Sequence, residues 1–256
     1  MSPERRGLAL VNFQRRVGRV LSRQLHSAYG KLRHKSPVHL LHIGKTGGSA
    51  VKHTLRSLRG LTPYNILDRP HNFKLEHVPE GEKAIFFLRD PAKRFVSGFY
   101  SRQRKGGSRY LCEWSPAEAE AFTQFSTPDE LARALSSTDP ATKHAAEKAM
   151  RSIMHINMTF SYWLGSEAYL ATRLDDIFYI GFQESLSDDF SKLLAKLNIN
   201  YSRGLPENDA LAHVSPKTLD KNLSNEALRN LQTWYREDYA LLDMCLRLKP
   251  TINDMN

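Results

Sequence analysis

Apolar residues along the chain follow two rhythms. Short, nearly unbroken runs from Val38 to Ile43, Ala84 to Leu88 and Ile177 to Ile180 have the length of strands buried on both faces. Between them, apolar positions recur every three or four residues. This predicts helices from about Ser49 to Leu58, after Pro91, over most of 117–165 with breaks at Ser126-Thr-Pro128 and Thr138-Asp-Pro140, from Leu186 to Leu197, and from about Asn225 to Leu248. Strands alternating with helices predict an α/β fold, a single domain over residues 37–256 with a central parallel sheet flanked by helices. Ahead of it, Leu8 to about Tyr29 reads as a basic amphipathic helix, with Leu10, Phe13, Val17, Val20, Leu21 and Leu25 at helical spacing. Residues 1–36 are therefore a separate segment, suited to docking on the domain or a partner. A peripheral contact with an anionic membrane surface and an Arg-rich targeting role are its alternatives.

The 256 residues, 41% hydrophobic and 25% charged, suffice for one domain with its own core and exclude a mainly disordered or collagen-like chain. No apolar run approaches the roughly 18 residues of a membrane span, so a cytoplasmic protein, at most peripheral to the membrane, is expected. Cys112 and Cys245 are too few and too far apart for a disulfide framework or a cysteine zinc site. The net charge of +10 is local, because residues 1–60 carry +12 and the remainder −2. A nucleic-acid partner, which needs cations spread along a groove, is not expected. Composition leaves the oligomeric state open.

Candidate chemistry begins where the first strand runs into Gly44-Lys-Thr-Gly-Gly-Ser49 and then a helix. Glycines between a buried strand and a helix let backbone N–H groups turn toward an anion at the positive end of the helix dipole. Lys45 adds a charge, and Thr46 and Ser49 add hydroxyls. The order differs from the usual triphosphatase loop, in which Lys and Ser/Thr follow the last glycine. The second strand ends in Arg89-Asp-Pro91, a helix start that would carry Arg94, Ser97 and Tyr100. A guanidinium there can fork onto a phosphate while a serine closes the site. Either element alone is equally readable as structural.

Together, His42-Ile-Gly-Lys-Thr-Gly-Gly-Ser49 and Leu88-Arg-Asp-Pro-x-x-Arg94-x-x-Ser97-x-x-Tyr100 resemble the two cofactor motifs of sulfotransferases. These enzymes use 3′-phosphoadenosine 5′-phosphosulfate (PAPS). The resemblance is to the group of heparan sulfate 2-O- and 6-O-sulfotransferases and bacterial enzymes of similar size. It covers residues 38–101 strongly and is looser at Phe178 to Leu186 and at Leu205-Pro-Glu-Asn208. It implies a P-loop-like α/β domain in which Lys45, Thr46, Gly47, Gly48 and Ser49 wrap the 5′-phosphosulfate and Arg89 and Ser97 hold the 3′-phosphate. No metal is implied.

Sulfuryl transfer resembles phosphoryl transfer in needing in-line placement and donors opposite developing charge, for which Lys45 is the candidate. It also needs a base. His71, between the two motifs, is the candidate, with His77 as runner-up. His39 and His42 read as packed or hydrogen-bonded, and His213 and Lys217 as loop residues near the site. Lys74, Arg94, Arg102, Arg104 and Lys105 would suit a groove for an anionic glycan, and equally a solvated face. Tyr162 and Trp163 read as core. The expected acceptor is a hydroxyl on a carbohydrate or glycolipid. A nucleotide kinase with an atypical loop, or a non-enzymatic anion- or membrane-surface-binding protein, are the alternatives.

Overall fold

Strands β1 (Pro37–Leu40), β2 (Asn65–Asp68), β3 (Lys83–Leu88) and β4 (Ile177–Phe182) form one sheet in the order β2-β1-β3-β4, every neighbouring pair parallel. This computed structural model describes residues 35–105, 112–205 and 219–254. The amphipathic helix expected at Leu8 to Tyr29 lies outside them. The single α/β domain read from the sequence is the architecture found.

Period-two alternation in β3 sorts its side chains between two cores. Ile85 and Phe87 pack with Val51 and Leu55 of α1 (Gly48–Leu58) and with Phe190 and Leu194 of the helix Leu186–Lys196. Ala84, Phe86 and Leu88 face Phe160, Trp163 and Leu241 on the other side. A third cluster contains no strand residue. It joins α2 (Pro91–Gln103) to α3 (Pro116–Gln124), α4 (Pro128–Ala134) and α5 (Pro140–Ser152) through Phe95, Phe99, Leu131 and Met150. These four helices start alike, with proline in the first turn and an Asp90, Ser115, Thr127 or Asp139 side chain capping a backbone N–H. The chain continues through α6 (Phe160–Leu164), α7 (Glu167–Thr172), α8 (Leu186–Lys196), α9 (Asn225–Trp234) and α10 (Arg236–Asp254).

From β1 the chain crosses to one side, toward β2, and then to the other, toward β3. The crevice at the carboxyl ends of β1 and β3 is thus the topological switch point of the sheet.

Four elements differ from the sequence reading. β2 is an added edge strand; Asn65-Ile-Leu-Asp68 has only two apolar positions, and Asp68 is buried because Arg56 and Arg59 neutralise it. β1 stops at Leu40, although the Leu41 N–H still donates to Ile85 O at 2.9 Å. β4 runs through Gly181, where a Cβ would lie 2.2 Å from the Phe87 ring, so the glycine that ends the apolar run is required by sheet packing. The long last helix is two helices meeting at Tyr235, whose ring is buried in the helical cluster and whose hydroxyl donates to Ile156 O at 2.7 Å. Among the described residues no helix is long and apolar enough to cross a membrane.

Candidate active site

The loop after β1 is shaped by its glycines and clamped from below. Gly47 precedes α1 with φ +83°, and a Cβ there would sit 2.8 Å from Leu186 Cδ2, so no other residue fits without strain. No side chain caps α1, which leaves its first N–H groups facing the mouth of the loop. Arg94 fixes the loop's start. Its guanidinium, almost wholly buried, donates from Nε to Gly44 O at 3.0 Å and from Nη2 to Met158 O at 2.6 Å, with Asp238 behind it at 3.8 Å. Thr46 is turned inward, its hydroxyl donating to Ile43 O at 3.0 Å, so its contribution to a ligand is its backbone.

Lys45 adopts φ +68°, a left-handed conformation that is uncommon for lysine and found preferentially at functional sites. Burial, then the neighbouring charges of Arg104, Arg89 and Arg94, lower its pKa to about 8. Arg89, at the end of β3, reaches Lys45 O from Nη1 at 3.4 Å. Its Nε is buried without a hydrogen-bond partner, and so is the Nε of Arg104 just beyond α2. The one carboxylate close to Arg89 on the β4 side, Glu184, accepts from the Asp90 N–H at 3.1 Å. Ser97 lies half-buried two turns into α2. Such guanidinium groups, each with a buried Nε that no acceptor meets, beside an uncapped helix start, are suited to a multiply charged anion.

Three imidazoles stand beside Lys45. His71 stacks on His42 with ring centroids 3.8 Å apart, and its carbonyl accepts from Trp163 Nε1 at 2.7 Å. The residue is exposed to solvent, yet desolvation by the groups packed around its ring, then the Lys52 charge, lower its pKa to about 4, only partly offset by a hydrogen bond to the His42 backbone. His155 lies 6.3 Å from His71, and burial followed by the Lys45 charge lowers it to about 3. It has φ +75°, and its Nδ1 would be 3.4 Å from a Cβ on Gly44. Both rings are neutral at neutral pH. His77 stands apart on an exposed turn, where its Nδ1 accepts from the Lys74 N–H at 3.0 Å.

The two sequence motifs thus meet at the switch point. Lys45, in the loop that leads into Gly47, Gly48 and Ser49, lies beside Arg89 and His71, whereas Ser97 is half-buried on α2 and His77 stands on an exposed turn. Of the five cations read as suiting either an acceptor groove or a solvated face, Arg94 and Arg102 are instead buried, Arg102 against Glu118 at 2.7 Å. Lys74 and Lys105 pair with Glu76 and Glu113, and only Arg104 turns to the cleft. His213, Lys217 and Asn208 lie outside the described residues. The sequence reading missed His155, which no local pattern marks. Among the described residues no group of three or more His, Cys, Asp or Glu could hold a metal ion.

A family model described as the sulfotransferase family matches residues 32–243. Neither the curated proteins nor the solved structures provide a match.

Proposed function

Because the chain belongs to the sulfotransferase family and is therefore a transferase by descent, we propose that it moves a sulfuryl group from PAPS to a hydroxyl of a carbohydrate or glycolipid acceptor, in line, with His71 as base. The observation that carries this reading is the pair of buried, unpartnered Nε atoms on Arg89 and Arg104, flanking Lys45 at the start of an uncapped helix. The donor set fits a nucleotide with two anionic ends. Backbone N–H groups of Thr46, Gly47, Gly48 and Ser49 take the 5′ end, and Arg89 with Ser97 takes the 3′-phosphate.

When bound, PAPS supplies the sulfuryl group and a bisphosphate leaving group. Lys45 opposes charge that develops beside the loop, and its protonated form prevails at neutral pH with a pKa of about 8. His71 is neutral: one ring nitrogen gives its proton to the His42 backbone, and the other carries the lone pair that accepts the acceptor's proton. An anion in the crevice offsets the Lys52 and Lys45 charges and draws the His71 pKa upward, toward working pH. His42 and Trp163 hold the ring and its backbone in place.

Calorimetric titration with 3′-phosphoadenosine 5′-phosphate (PAP), against ATP with magnesium, tests the reading. Micromolar PAP binding without metal, weakened about a hundredfold in Arg89→Ala, is expected. Preference for magnesium-ATP, or binding of neither, overturns it and favours the kinase or the anion-binding alternative.

A further inference from the structure

His39 lies at the back of the turn that carries His71, and both ends of that turn rest on it. The turn is closed by the Phe73 N–H donating to Pro70 O at 3.0 Å. At its start, Arg69 donates from Nε to His39 Nδ1 at 3.0 Å and from its backbone N–H to Leu40 O at 3.0 Å, while its own carbonyl accepts from Lys52 Nζ at 3.2 Å. At its end, Phe73 stacks on the His39 ring at 5.7 Å and carries the Arg69 guanidinium on its face at 4.5 Å.

These contacts determine the tautomer. A guanidinium Nε–H only donates, so His39 Nδ1 must present its lone pair, and the ring proton sits on Nε2, where it is given to Glu82 Oε2 at 2.5 Å. Glu82 and Arg69 are the charged groups in contact with the ring, which is almost wholly buried on β1. A packing role alone would need an apolar side chain of similar size. The structure instead uses a ring with one donor and one acceptor, each committed.

We propose that His39 is a positioning residue for the base. Its neutral, Nδ1-acceptor form, oriented by Glu82, latches Arg69 and thereby holds the Pro70-to-Phe73 turn so that His71 stays stacked on His42 in the crevice. The proposal rests on His71 acting as base.

The test is a proton NMR titration of full-length protein with 13C-labelled histidine, the His71 signal being the one lost in His71→Gln. In wild type His71 titrates well below an ordinary histidine. In His39→Leu the latch is gone, the turn relaxes, and the His71 midpoint rises by at least about one pH unit. His39→Asn keeps an acceptor oxygen near the Nδ1 position and holds the midpoint close to wild type. Arg69→Met, at a half-exposed side chain, breaks the same link if His39→Leu does not fold. A midpoint unchanged in the Leu and Met variants overturns the proposal, and so does a rise in the Asn variant as large as in Leu, because packing would then be the whole role. The titration is read with and without PAP. A wild type that binds no PAP sinks the donor reading while leaving the latch tested in the free protein.

Discussion

Arginines inside helix α2 and those at its two ends differ in one respect. Arg94 and Arg102, within the helix, are buried and answered: Arg94 by two carbonyls and Asp238, Arg102 by both oxygens of Glu118 and the carbonyls of Cys112 and Glu113. Arg89 and Arg104, just before and just after it, each keep a buried Nε with no acceptor. A buried guanidinium N–H without an acceptor is costly, so a fold that keeps two of them beside Lys45 carries a cost that a bound anion would relieve. Cations that look alike along the chain thus divide into those fully answered within the fold and those left with an unmet Nε.

The sharpest way to break this contrast is at an answered arginine. Glu118→Ala leaves Arg102 buried without its carboxylate and should cost about 3–5 kcal/mol in denaturant unfolding. Since Glu118 is held at about 2 against an ordinary 4.5, its contribution is whole above about pH 4.5 and fades as the pH falls toward 2. A loss below about 1 kcal/mol would mean that the pair is only a surface pair in effect. Arg89→Ala should do the reverse. PAP affinity falls by about a hundredfold, near 2.7 kcal/mol, while the melting temperature is unchanged or higher. A melting temperature that falls would place Arg89 with the structural group.

Gly47→Ala acts on the cradle between the two. The left-handed conformation and the contact with Leu186 together cost about 1–2 kcal/mol of stability, with PAP binding weakened in proportion. The smallest effect is in protons. Lys45 has a pKa of about 8 in the free protein, and a bound anion favours its charged form, so binding at pH 8 takes up protons and PAP affinity declines as pH rises above 8. Calorimetry in buffers of different ionisation enthalpy reads the uptake directly; proton release instead would remove Lys45 from the anion's neighbourhood.

Much of the scaffold was legible because it is written locally. Apolar runs marked β1, β3 and most of β4, and Asp90-Pro91, Ser115-Pro116, Thr127-Pro128 and Asp139-Pro140 are helix starts spelled in adjacent residues. Loop and helix around Gly47 could be read the same way. What misled was anything whose state depends on a distant partner. Asp68 closes a strand only because Arg56 and Arg59 reach it, and Arg94 looked like a groove residue until Gly44, Met158 and Asp238 surrounded it.

Local spacing, then, determined the elements, the order in which they come, and the strand-loop-helix with its uncapped helix start. The tertiary structure decided which of the histidines and arginines belong to the crevice. Residues 42, 71 and 155 are brought side by side only when the turn after β2 and the segment before α6 pack against the β1 loop. Whether each is charged there follows from burial and from neighbours far away in sequence, quantities that exist only once the chain is folded.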